Sequence, residues 1–241
     1  METSPTRTPL AEMADAKRGC HDEAAPAPTA TTDADDCPGP LVNGVLLACP
    51  DAPHALVLWG GEASLDGRPS HLSDRYSSSI FCFDVNSATW RRIASTGPQP
   101  DARAAAQAAS VRNGAAAVVF GGEAQSAAAR KKDCFVHYSD TWLLNVAAAA
   151  AGRTDAPLWT AVRTRRHPSA RSGHRMAPLD GTRFALLFGG FHDVGRCATY
   201  LDDLWVFDAT LNEWLCVDSF SSGPLSRPAA RSGAVFQRMS T

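Results

Sequence analysis

The sequence predicts an all-β protein made of repeated four-stranded units, and three observations carry that reading. A bulky apolar run ending in a glycine pair occurs three times, in "ALVLWGGE" (55–62), "AVVFGGE" (117–123) and "FALLFGGFHD" (184–193). An aromatic-rich stretch follows each pair: "SIFCFDV" (79–85), "DTWLLNV" (140–146) and "DLWVFDA" (203–209). A tryptophan then follows each stretch, at Trp90, Trp159 and Trp214.

Spacing ties these landmarks into one repeat. Trp90 lies six positions after Asp84 and Trp214 six after Asp208, whereas the middle copy carries eight extra between Asn145 and Trp159. Beyond each tryptophan comes Pro-x-Ala-Arg, ending at Arg103, Arg171 and Arg231; Gly121 and Gly189 each lie eighteen residues after the arginine that opens their unit. One strand follows the arginine, a second ends in Gly-Gly, a third is the aromatic stretch, and a fourth starts near the tryptophan. Bulky and β-branched residues suit such strands. The runs "AAAQAAS" and "AAAAA" have helix propensity but no amphipathic period or caps. Units of about fifty residues with four strands each read as blades of a β-propeller.

In this scheme Gly60, Gly61, Gly121, Gly122, Gly189 and Gly190 are structural. They turn the chain where a Cβ would not fit and let neighbouring blades approach. Without a following Gly-Lys-Ser/Thr or a helix they are no phosphate cradle. Trp90, Trp159 and Trp214 are expected in equivalent, largely buried positions between blades.

Composition bounds the function. The 241 residues are 44% hydrophobic with a net charge of −2, which offers no field for nucleic acid or an anionic membrane. The basic run Arg163, Arg165, Arg166 and His167 reads as solvated loop. No apolar stretch has membrane-spanning length and no signal core is visible, so a cytoplasmic location is expected, with the nucleus as alternative. Seven cysteines (20, 37, 49, 82, 134, 197 and 216) form no C-x-x-C pair, so neither a disulfide framework nor a metal site is expected; Cys134 with His137 lacks a second pair. Residues 1–40 are rich in Ala, Pro, Thr and Asp and are expected to be a disordered tail.

The Gly-Gly after an apolar run, the spaced aromatics and the later tryptophan resemble the kelch signature. "RSGHRM" (171–176), "LLFGGFHD" (186–193) and "YLDDLWVFD" (200–208) look in particular like the group of kelch domain-containing protein 4 and its fungal relatives. The resemblance implies a kelch-type β-propeller over 41–241, with blades at about 41–94, 103–163 and 171–217 and the start of the next at 231–238. Family members of this kind have about six blades. The chain is therefore expected to be a truncated part of a larger propeller or to be completed by a partner, because propellers typically close with four to eight blades.

The resemblance also frames the chemistry. A kelch copper oxidase would need tyrosines, histidines and a cysteine converging on the axis. Tyr76, Tyr138 and Tyr200 all stand just before a third strand and read as equivalent packing positions. A lone His174 makes neither a metal site nor a triad. No catalytic residue, metal or cofactor is expected. The function implied is a protein-interaction scaffold gripping a partner, such as an acidic peptide, through loops at the propeller mouth. A metal-dependent oxidase or isomerase-like enzyme and a ubiquitin-ligase substrate receptor are the alternatives. The candidate contacts are Arg103, Arg171 and Arg231, with Ser172, His174 and Ser232 beside them. Two roles are open to the arginines: a positive ring for carboxylates, or ties that hold each loop through backbone carbonyls.

Overall fold

The computed structural model of the chain describes residues 36–63, 75–125, 135–194, 197–217 and 228–235. The expected disordered tail falls mostly on residues 1–35, outside the described residues. The first unit contains β1 (Leu41–Val42), β2 (Val45–Cys49), β3 (Ala52–Trp59), β4 (Glu62–Ala63), β5 (Ile80–Asp84) and β6 (Thr89–Ile93). In the second are β7 (Gln107–Val111), β8 (Ala116–Phe120), β9 (Glu123–Gln125), β10 (Phe135–His137), β11 (Thr141–Asn145), α1 (Val146–Ala150) and β12 (Trp159–Val162). The third has β13 (Arg175–Pro178), β14 (Phe184–Phe188), β15 (Phe191–Val194), β16 (Cys197–Tyr200), β17 (Leu204–Asp208) and β18 (Glu213–Cys216).

Each unit forms one antiparallel four-stranded sheet in chain order, β2-β3-β5-β6, β7-β8-β11-β12 and β13-β14-β17-β18. Each also carries a two-stranded ribbon beside its glycine pair: β1-β4, β9-β10 and β15-β16. Among the described residues no helix is long and apolar enough to cross a membrane.

The sheets are blades packed face to face. Ala55, Val57, Trp59 and Cys82 of blade one meet Ala117, Val119, Leu144 and Trp159 of blade two. Val118, Phe120 and Leu143, from the other face of blade two, meet Ala185, Leu187, Phe207 and Trp214 of blade three. Strand β8 is consequently buried along its whole length, while β14 alternates because, among the described residues, one of its faces has no blade against it.

The alanine run departs from expectation. Residues 146–150 form α1, whose N-cap Asn145 side chain accepts the Ala148 N–H at 3.0 Å. Val146, Ala149 and Ala150 bury against blade one, and Arg91 of that blade donates to the Ala150 carbonyl. The cap escaped the sequence reading because Asn145 also ends strand β11. By contrast, the run 104–110 becomes β7 and its approach, since its alternate residues meet two different blades.

Tryptophan burial also divides. Trp159 and Trp214 are 2% exposed, but Trp90 is only half-buried, which corrects the expectation of three equivalent seats. Each buried tryptophan packs on the preceding blade. Trp159 stands edge-on to Trp59 with centroids 5.0 Å apart, and Trp214 to Phe120 at 5.4 Å, with its indole N–H donating to the Thr141 hydroxyl at 2.9 Å. Among the described residues, Trp90 has no such blade before it. It pairs with Phe83 of its own sheet at 4.9 Å.

Candidate functional site

The glycine pairs, ribbons and arginines gather at one end of the blades, because antiparallel order brings the second-to-third and fourth-to-first connections to the same side. There the blades are stitched together. Gly61, Gly122 and Gly190 donate their N–H, each at 2.9 Å, to the carbonyls of Arg103, Arg171 and Arg231, which open the next blade. The approach leaves no room for a side chain. A Cβ on Gly121 (φ +68°) would fall 2.6 Å from the Arg171 carbonyl oxygen and 2.9 Å from the His174 ring. The same pair of left-handed turns recurs at Gly60/Gly61 and Gly189/Gly190.

Beneath the stitch lie two triads, each built on a buried arginine and a part-exposed aspartate. Arg171, fully buried, forks onto Asp203, with Nη1 at 2.6 Å from Oδ1 and Nη2 at 2.8 Å from Oδ2. It also donates to the carbonyls of Ser169 and Gly189, at 2.9 and 3.0 Å. Trp205 donates its indole N–H to Asp203 Oδ2 at 2.7 Å. Blade two repeats every element. Arg103 forks onto Asp140, donates to the carbonyls of Asp101 and Gly121, and Trp142 donates to Asp140 at 2.7 Å. The Arg103 guanidinium also covers the Tyr138 ring at 3.5 Å.

Burial alone would raise the pKa of Asp140 and Asp203. The hydrogen bonds and charge of Arg103 and Arg171, aided by the indoles, outweigh it and hold both carboxyls below the ordinary carboxylate range. These arginines are thus neutralised and their donors taken up. The expected solvent-facing ring does not form at Arg103 and Arg171; the loop-tying role does, through the carbonyls the alternative reading named. Arg231 differs: it is exposed and its Nε donates to the Ala229 carbonyl at 2.8 Å.

The neighbouring candidates are buried too. Ser172 is fully buried and donates to Glu123 of the preceding blade at 2.6 Å. His137 Nε2 lies 3.1 Å from the same carboxylate. Burial again opposes ionisation of Glu123, but the close His137 imidazole and the Ser172 hydrogen bond prevail and its pKa is lowered. His174, expected as a partner contact at the propeller mouth, is fully enclosed; burial, helped by Arg171 and Arg175, pushes its pKa down to about 3, so it is neutral. Its ring sits edge-on to Phe120 at 5.8 Å, and neither nitrogen has a hydrogen bond of regular geometry. Ser232 is half-buried against Gly173. Cys134 lies outside the described residues, among which no three metal-ligating side chains converge.

Register corrects the tyrosine alignment. Tyr76 and Tyr200 pair with Glu62 and Phe191, and the residue pairing with Glu123 is His137, so Tyr138 is one position later. The sequence reading also missed Asp140 and Asp203 as partners of the arginines, although the signal was present: the third strands of both arginine-bearing units open with Asp-x-Trp.

A meander of four-stranded blades joined at glycine pairs defines a kelch-type propeller architecture. The family described as the KLHDC2/KLHL20/DRC7 Kelch-repeats domain matches residues 44–239. The chain belongs to the kelch-repeat family.

Proposed function

We propose that the chain is a non-enzymatic protein-interaction scaffold that takes its partner on the ribbons and loops at the glycine-pair end. The observation that supports this reading is the division of labour there. The Arg-Asp-Trp triads, anchored on buried arginines, fix the base of the loops, while the ribbon β15-β16 stands above with all of β16 exposed and Tyr200 at 56% exposure. A rigid base with an exposed aromatic tip suits recognition of another protein. An acidic partner is read by Arg231, the member of the arginine series whose guanidinium is open. Within the family we place the chain nearest the kelch domain-containing protein 4 group, on the stretches 171–176, 186–193 and 200–208. We also place it in the cytosol or nucleus, where free cysteines such as Cys49 and Cys82 persist; cell fractionation tests that.

The interaction test is capture of partners from cell extract by the whole chain. The most enriched protein is then titrated against Tyr200→Ala, Arg231→Glu and, at the opposite end of the blades, Leu211→Ala. The first two should weaken binding about tenfold or more and the third should not. Equal affinities for all three would remove the partner from this end of the blades.

A further inference from the structure

The basic run after blade two has no part in the scaffold role. Residues 163–170 connect β12 to β13 without regular structure, and Arg165, Arg166 and His167 are exposed there. The Arg165 backbone N–H donates to the Glu213 carboxylate of blade three at 3.0 Å, yet the Arg165 side chain remains 94% exposed. The run leads to Ser169, an exposed residue two places before the buried Arg171.

Ser169 is where that buried guanidinium reaches the surface. Its hydroxyl accepts from Arg171 Nη2 at 2.9 Å. The other bonds of the guanidinium go to Asp203 and to the carbonyls of Ser169 and Gly189. Ser172, in the same segment, is fully buried and donates to Glu123, so it is closed to an enzyme.

The repeat shows that this position accommodates a negative charge. Asp101, Ser169 and Ala229 each stand two places before the arginine of their unit. Their carbonyls accept the arginine Nε at 2.9, 2.9 and 2.8 Å, so the backbone arrangement is shared and the side chain is what varies. Asp101 is exposed and puts a fixed anion there. Ser169 is the member that can acquire one.

We propose that Ser169 is a phosphorylation site for a protein kinase that reads basic residues, and that Arg171 holds the phosphate. Arg165 and Arg166 stand four and three places before the hydroxyl, where exposed guanidinium groups suit carboxylates in such a kinase's substrate groove. In the transfer, a bond forms between Ser169 Oγ and the γ-phosphorus of a nucleoside triphosphate as the bond from that phosphorus to the β–γ bridging oxygen breaks. The hydroxyl proton goes to the kinase's base and the nucleoside diphosphate leaves. The product carries about −1.5 to −2 charge. Arg171 needs no new donor to meet it. The N–H that now meets the hydroxyl turns to a phosphate oxygen, in a stronger charge-assisted bond, while the fork on Asp203 stays in place. Phosphorylation thus tightens the joint between blades two and three and turns a basic stretch of the rim negative. This holds wherever a partner docks.

The test treats the whole folded chain with ATP, Mg²⁺ and the catalytic subunit of a basic-directed serine kinase. Mass spectrometry locates the phosphate, and the modified and unmodified fractions are melted side by side. Phosphate on Ser169 is expected, with a melting midpoint raised by about 2–4 °C. Ser169→Ala should abolish that phosphate. Arg166→Ala should slow its incorporation about tenfold, the loss of one charge-assisted contact. A folded chain that gains no phosphate at Ser169 overturns the proposal, because the loop then withholds the hydroxyl. A phosphorylated chain with an unchanged or lower midpoint also overturns it, because Arg171 then does not hold the phosphate. Arg166→Ala modified as fast as the natural chain removes the basic run as the recognition element, and with it the assigned class of kinase.

Discussion

Blade one and the two blades after it build the same joint from different residues. Blades two and three place an arginine before the first strand, an aspartate before the third and a tryptophan at its second residue. Blade one has Leu41, Ser79 and Phe81 at the matching positions of the register. All three members change together. That is what physics requires where the arginine is buried, since its guanidinium left alone would be an uncompensated buried charge. Ser79 instead accepts from Arg92 on the surface at 2.8 Å. The triad is thus a unit that a blade has or lacks as a whole, and its task is to fix the joint with the next blade's loop.

The largest effects come from breaking that unit or a tryptophan seat. Arg171→Ala should cost about 3–5 kcal/mol in urea unfolding, the usual loss when one partner of a buried pair is removed. Replacing the triad by blade one's residues (Arg171→Leu, Asp203→Ser and Trp205→Phe together) should cost less than the single change. A triple variant less stable than Arg171→Ala would mean that blade one's solution does not transfer. Trp214→Ala should likewise cost about 3–5 kcal/mol. If blade one's open face stays uncovered, Trp90→Ala should cost about 1 kcal/mol.

The fold was legible because the repeat advertises its own strands: an apolar run before each glycine pair gives the second, and the aromatic stretch the third. The arginines were legible as positions but not as environments. Whether a guanidinium faces water or a carboxylate depends on where Asp203 lies, 32 residues further on. Spacing within one unit does not reveal such a contact. Comparison between units does, because Asp-x-Trp accompanies the arginine in two units and Ser-x-Phe accompanies its absence in the other. Half-burial of Trp90 was hidden for a related reason, since a tryptophan's seat belongs to the preceding blade.

Acidification separates the blades more gently. Asp140 and Asp203 have pKa values below their ordinary 3.8, so the folded state binds fewer protons than the unfolded state at low pH. The stability they contribute is fully present above about pH 5 and is lost as pH falls through 3.8 towards the folded values. Glu123 adds to the same loss from its ordinary 4.5. Chemical denaturation between about pH 6 and pH 3, a range that spans these ordinary values, should therefore show a shallower decline in the triple variant than in the natural chain. Parallel declines would mean that the triads do not govern the acid limb.

The smallest expected effect concerns the left-handed residue two places after each arginine position. Asn43, Ala105, Gly173 and Gly233 all have φ between +54° and +64°. Asparagine and glycine tolerate that region, whereas an alanine Cβ there crowds the following carbonyl at a cost of roughly 1–2 kcal/mol. Ala105→Gly relieves this crowding but loosens the unfolded chain, which returns part of the gain. A net stabilisation of up to about 1 kcal/mol is expected, read as a rise in the urea midpoint at unchanged slope. The reverse change, Gly173→Ala, should destabilise, because its Cβ would also lie 3.0 Å from the Ser232 hydroxyl and 3.2 Å from the Phe191 ring. Opposite signs for the two exchanges would show that backbone conformation rules this position in both blades. Ala105→Gly lowering stability would mean that the alanine methyl contributes packing that outweighs the backbone.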